Sequence, residues 1–260
     1  MQNKVLLQLL ILLLIQFSLI EATPTGLFWT SCTTDVIDTG MGNIDINNYF
    51  TLFNRRGHGS VFPSLTAFEV GLMQVGAVKI EGGVDYLGGN DDPLFFNLGG
   101  GITEDVLFKN APSMKVGLFG MGTRTHGSNR TNQNIFDIII GKGLPDCIGG
   151  RFFIGGFSGS KAMGKDRQGV MLGYQRSFNA AKDSDGIDYY KWIFSLDYAS
   201  GKNTIGGGGF SVTYCFTPLI NIQTGPVWFN SRAINGRWKW TMQINVNFSV
   251  FDTKKVEGLY

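Results

Sequence analysis

Two histidines, His58 and His126, and three cysteines, Cys32, Cys147 and Cys215, are the whole supply of imidazole and thiol in 260 residues. Two histidines exclude a histidine-rich metal centre, and the cysteine spacing fits no metal motif. The odd cysteine count leaves room for one disulfide in an oxidising compartment without choosing the pair. The run His126-Gly127-Ser128-Asn129 sets a base two residues from a hydroxyl. A serine nucleophile needs such a base, because its hydroxyl is weak at neutral pH. No third residue that would orient His126 stands out, and the run lies in a loop of Gly, Ser and Asn. Asp91-Asp92 and Asp183-Ser184-Asp185 lack the remaining ligands of a calcium loop and read as solvated turns. The four glycines 206–209 precede neither Lys-Ser/Thr nor a helix, so strand curvature or close backbone approach explains them better than a phosphate loop. No cofactor, metal or enzymatic activity is expected.

The more useful residues are polar ones that alternate with apolar ones along the chain. They are Asp45, Lys79, Glu81, Asp85, Lys115, Asp137, Arg151, Lys191 and Asp197, joined by the uncharged Gln243, Asn245 and Asn247. Turned toward a common interior, such charges can set a transverse field that orders water and biases ion passage. Alternatively they pair across the interior and plug it, since buried charges must be partnered.

What positions them is strand alternation. In the last such run, 240–250, Trp240, Met242, Ile244, Val246, Phe248 and Val250 take one face. Thr241, Gln243, Asn245, Asn247 and Ser249 take the other, as in a β-strand with one greasy and one wet side. Eleven residues match the ~9–11 that a tilted strand needs to cross a bilayer. About twelve runs of this kind follow one another. The first, 42–54, sets Ile44 and Ile46 against Asp45 and Asn47. The sixth, 133–141, sets Phe136, Ile138 and Ile140 against Asn134 and Asp137. The eighth spans 169–178, the ninth 189–199 and the tenth 203–216. Gly, Asn, Asp and Ser punctuate the connections. With the N-terminus on the periplasmic side, the odd-numbered connections are extracellular; the stretch 179–188 is then long for a periplasmic turn.

Composition agrees. Charged residues are 16% of the chain, against ~25% in soluble domains, and the 37 glycines are about twice the usual share. Aromatic residues gather at strand ends, as at a bilayer interface: Tyr189 and Tyr190, Trp228 and Phe229, Trp238 and Trp240. A soluble β-sandwich or barrel would use the same alternation, but about eight strands already suffice for a filled apolar interior. Net charge is +2, and the nearest basic cluster, Arg55-Arg56-Gly57-His58, reads as a solvated loop, so no nucleic-acid partner is expected.

Lys4 followed by the apolar run Val5 to Ile15 reads as a secretory signal, with cleavage after Ala22. The expected organisation is a signal peptide over 1–22, an extended lead-in over 23–41, a single antiparallel transmembrane β-barrel of about 12 strands over 42–251, and a tail over 252–260.

These features together resemble bacterial outer-membrane β-barrel proteins of the porin-like kind, over residues 42 to 251. Gly82-Gly83-Val84-Asp85-Tyr86, Pro93-Leu94-Phe95-Phe96-Asn97 and Leu196-Asp197-Tyr198 are similar to segments of an uncharacterised group of such barrels. The resemblance implies the bacterial outer membrane as location, the lipid bilayer as surroundings, barrel-assembly machinery engaging the C-terminal strand, and small polar solutes as cargo. In many such proteins the terminal aromatic ends the chain, whereas Phe251 lies nine residues short of Tyr260. Separately, His126-Gly127-Ser128-Asn129 resembles the His-x-Ser-Asn stretch of outer-membrane phospholipase A, a twelve-stranded barrel. That likeness implies His126 as base and Ser128 as nucleophile, but Arg130 stands where that family has glycine. Three readings follow: a porin-like channel for ions or small polar solutes, a closed structural or surface-binding barrel that works through its loops, and an outer-membrane lipid hydrolase.

Overall fold

The computed structural model describes residues 26–52, 64–89, 91–127 and 129–250. The signal peptide, the cluster Arg55 to His58, Ser128, Phe251 and the tail 252–260 lie outside the described residues. Twelve strands run in chain order: β1 (Met41–Phe50), β2 (Leu65–Val75), β3 (Val78–Leu87), β4 (Leu94–Ile102), β5 (Ser113–Gly122), β6 (Asn132–Gly143), β7 (Arg151–Ser158), β8 (Gln168–Lys182), β9 (Asp188–Ala199), β10 (Gly207–Cys215), β11 (Ile220–Phe229) and β12 (Trp238–Ser249). Each pairs antiparallel with its neighbours, and β12 returns to β1 from Met41↔Ser249 to Phe50↔Trp240, closing a barrel. Closure leaves no open sheet edge, the condition for strands in lipid.

The alternation has the orientation of a membrane barrel. On β6, Phe136, Ile138 and Ile140 are 40–45% exposed, while Asp137 is 1% exposed. Ile44 and Ile46 on β1, and Met242 and Ile244 on β12, likewise point outward. Asn43, Asn47, Gln243 and Asn245 between them are buried inside. Ten residues of strand at ~3.3 Å each, tilted ~40°, span about 25 Å, the height of a lipid-facing belt.

Three expectations are corrected. The long turn at 179–188 dissolves, because β8 and β9 stay paired to Lys182↔Asp188 and leave only residues 183–187 as a turn. β10 starts at Gly207 rather than 203. The Asn203 amide is spent on the carbonyls of Asp166 and Ser200, tying that stretch to the neighbouring loop. Asn134 is exposed rather than inward. The β5–β6 register shifts between Phe119 and Met121, and Asn134 takes a positive φ of 46°. Such a bulge re-aims side chains.

The ends of β1, β3, β5, β7, β9 and β11, with the described residues that follow each, share one end of the barrel, here the loop end. Both chain ends of the barrel and the connections 76–77, 103–112, 144–150, 183–187 and 216–219 share the other, here the turn end.

Candidate functional site: an occupied lumen

The lead-in does not lie outside the barrel. Residues 26–40 run through the lumen from its loop half to the turn end and there enter β1. They form almost no regular structure: one parallel bridge, Thr39↔Gly71, is their single ladder contact. The lumen wall holds them instead. The Oδ2 of Asp197 accepts from the backbone N–H groups of Phe28, Trp29 and Thr30 at 3.2, 2.8 and 2.7 Å, and from the Thr30 hydroxyl at 3.0 Å. Hydrogen bonds to an ionised acceptor are worth about 1.5–3 kcal/mol each, so Asp197 is the strongest single anchor. Gln223 and Gln243 donate their amides to the Leu27 and Phe28 carbonyls, both at 3.1 Å. Trp29 sets its ring edge against Tyr49 and Phe229 and donates its indole N–H to the Ile205 carbonyl at 2.8 Å.

Deeper down, Ser31 donates to Asp137 Oδ2 at 2.7 Å. Near the turn end Arg151 pairs with Asp35 at 2.6 Å and donates to Thr34 Oγ1 at 3.0 Å. Glu81 accepts from the Ile37 N–H at 2.8 Å through one oxygen and holds Lys115 at 2.9 Å through the other. Lys115 also reaches the Asp35 carbonyl at 3.3 Å. Lys79 pairs with Asp38 at the rim.

Apolar packing completes the grip. Leu27 and Cys32 are buried in a cluster with Ile135, Ile139, Phe153, Phe157, Met163, Met171 and Ala199. These wall residues point inward although the sequence offered them no polar-face signature. Glycines make the room. A Cβ on Gly173 would sit 2.6 Å from Leu27 Cδ2 and 2.8 Å from the Cys32 carbonyl, and one on Gly71 would collide with the Asp38 backbone.

The opposite wall, β1 to β5, holds the segment near the turn end and at Tyr49, and elsewhere stands off from it. Between them lies a cavity of about 520 Å³. It reaches from the Glu81–Lys115 pair up to Leu65, Leu87, Thr204 and Ile234 at the loop end. It is therefore a vestibule whose floor is that ion pair, which in turn is bonded to residues 35 and 37 of the segment.

Most of the predicted interior residues thus fall into two groups. Lys79, Glu81, Lys115, Asp137, Arg151, Asp197 and Gln243 bind the segment. Asp45 and Asp85 face the vestibule, together with Asn43, Asn47, Glu69 and Asn97. Asn245 donates to Asn221 at 3.0 Å and Asn247 accepts from Asn43 at 2.8 Å, a ladder of amides across β11, β12 and β1. Lys191 is half-buried on the inner-facing side of β9. Lys239, 4% exposed, also faces inward and donates to Thr51. It was missed because the sequence starts the last strand at Trp240; an earlier start would have put Lys239 on the wet face. Cys32 and Cys215 are buried, Cys147 is exposed, and no disulfide joins any pair of them. His126 sits in the exposed loop after β5, its Nδ1 2.6 Å from the Thr125 hydroxyl.

An apolar-sided closed barrel around a polar, occupied lumen is the architecture of a membrane-spanning β-barrel. No family model matches the chain, and no curated protein matches it. Among solved structures it is similar to one described as "KdgM porin", at 9% identity and a TM-score of 0.48, covering 80% of this chain and 99% of that one. The COG4313 outer membrane channel from Pseudomonas putida F1 is similar at 10% identity and 0.45, covering 83% and 98%. The NanC porin is similar at 10% and 0.42, covering 80% and 98%. Fold and function here rest on the chain's own geometry.

Proposed function

We propose that this chain is a bacterial outer-membrane channel for ions or small polar solutes, held closed by residues 26–40. The observation that carries the reading is the vestibule. A barrel needed only as a wall would fill its interior, whereas this one keeps a cavity lined by carboxylates and amides and blocks it with an irregular segment. Nearly every polar bond that holds the segment runs to a wall side chain, and each such bond is one that water can replace. Asp45, Asp85, Asn43 and Asn47 then line the conducting path, and Asp197, Asp137, Glu81 and Arg151 latch the plug.

Removal of residues 1–22 would leave Thr23-Pro24-Thr25 ahead of Gly26. The barrel-assembly machinery would engage β12, which closes the barrel on β1. The reading of the barrel as a purely structural wall draws on the same latches, since a plug that never leaves makes a wall. Planar-bilayer recordings of the refolded mature chain separate the two. The channel reading expects discrete openings under applied voltage; silence at every voltage would overturn it.

A further inference from the structure

We infer that the vestibule is a binding site for a small organic amine. The inference rests on the reading of this cavity as the channel's solute path. It starts from charge. Five acidic side chains line the cavity, Asp45, Glu69, Glu81, Asp85 and Asp137, against one basic side chain, Lys115. Lys115 is held by Glu81 at 2.9 Å, so the lining as a whole stays acidic, with Asp45 and Asp85 on the wall away from that pair.

A second observation is independent of charge and concerns hydrogen bonding. Three buried side-chain atoms of cavity-lining residues receive no hydrogen bond from another side chain, Asp45 Oδ1, Asn47 Oδ1 and Asp137 Oδ1, and Asn47 Oδ1 has no partner at all among the described residues. Asn47 is 4% exposed and Asp137 1%. All three atoms are acceptors. The orientation of the Asn47 amide is fixed, because its nitrogen donates to Asp45 Oδ2 at 2.6 Å. Buried acceptors without donors are costly, so the matching occupant brings donors and positive charge. An ammonium group supplies three N–H donors and no acceptor.

The third observation selects an organic cation over a bare ion. Phe28, Trp29, Tyr49, Phe95 and Phe119 line the same cavity. Aromatic faces attract cations and cover the apolar body of an amine. A cavity of about 520 Å³ has the size of a small-molecule pocket. The ammonium sits at Asp45 and Asn47, with its carbon frame against the rings.

Isothermal titration calorimetry on the refolded mature protein in detergent tests this with three probes that share one ring: 2-phenylethylamine, 2-phenylethanol and phenylacetate. The amine should bind at least about tenfold more tightly than the alcohol, and phenylacetate should not bind. Asp45→Asn, which keeps the shape and removes the charge, should weaken the amine about tenfold while the melting temperature stays put. Equal binding of amine and alcohol would overturn the inference in favour of an apolar pocket. Displacement of the amine by millimolar calcium with retained affinity for calcium alone would overturn it in favour of an inorganic-cation site. A protein that conducts in bilayers yet binds no amine would overturn this inference and leave the channel reading standing.

Discussion

The two halves of the lumen are built from the same kind of strand and do opposite things. Around β6, β7 and β8 the inward positions are Ile135, Ile139, Phe153, Phe157 and Met171, spaced by Gly141 and Gly173. Around β1 to β4 they are mostly polar, Asn43, Asp45, Asn47, Glu69, Glu81, Asp85 and Asn97, with Ala67 and Phe95 among them. The first wall can be approached to van der Waals distance, and a segment lies on it. The second presents carboxylates and amides, touches the segment mainly near the turn end, and leaves a cavity beside it. Side-chain size and polarity on the inner face, with the backbone scaffold unchanged, thus decide which side of a barrel is plug seat and which is passage. The outer faces of both halves are alike, because lipid asks the same of each.

Predictions follow from that division, and Cys32 reads them. It belongs to the segment and is fully buried against the wall, so in a Cys147→Ser, Cys215→Ser background its rate of maleimide labelling reports how often the segment leaves. Asp197→Ala should have the largest effect. It removes four hydrogen bonds and strands three backbone N–H groups at about 1–3 kcal/mol each, which accelerates labelling at least about a hundredfold. Gly173→Val attacks the apolar seat by steric conflict with Leu27 and Cys32. Overpacking costs about 1–3 kcal/mol, so labelling should rise about ten- to a hundredfold. Asp85→Asn alters only the opposite wall and should leave the rate within about twofold, as surface-type changes do. A large acceleration by Asp85→Asn would break the division between seat and passage.

Much of this was legible in the sequence, and the remainder was hidden for physical reasons. The strands showed because one face meets lipid and the other does not, so Trp240 to Ser249 announces its own geometry. Even the closing contact with β1 needed only an even strand count. Charged interior residues were legible for the same reason, and the twelve polar side chains named from the alternation lie on the inner face. The plug was not legible. Leu27-Phe28-Trp29 followed by Thr30-Ser31-Cys32-Thr33-Thr34 has no period, and a segment held by scattered side chains needs none. Its seat was masked too. In Ile138-Ile139-Ile140 the alternation with Asp137 turns Ile139 inward, but an apolar residue on the wet face does not say what will cover it, and it is Leu27 and Cys32 that pack in its cluster. The charges were expected to conduct or to pair across the lumen. Lys115 and Glu81 do pair across β3 and β5, but Arg151, Asp137 and Asp197 find their partners on the segment instead.

The central claim is that residues 26–40 close the lumen. Bilayer conductance of the mature chain, compared with a variant lacking residues 26–37, tests it most directly. The account predicts a parent that opens only rarely and a variant that is open at rest, with a mean conductance at least about tenfold higher, in line with the width of a twelve-stranded lumen freed of its filling. Equal conductance in the two proteins, with both folded as barrels, would contradict it.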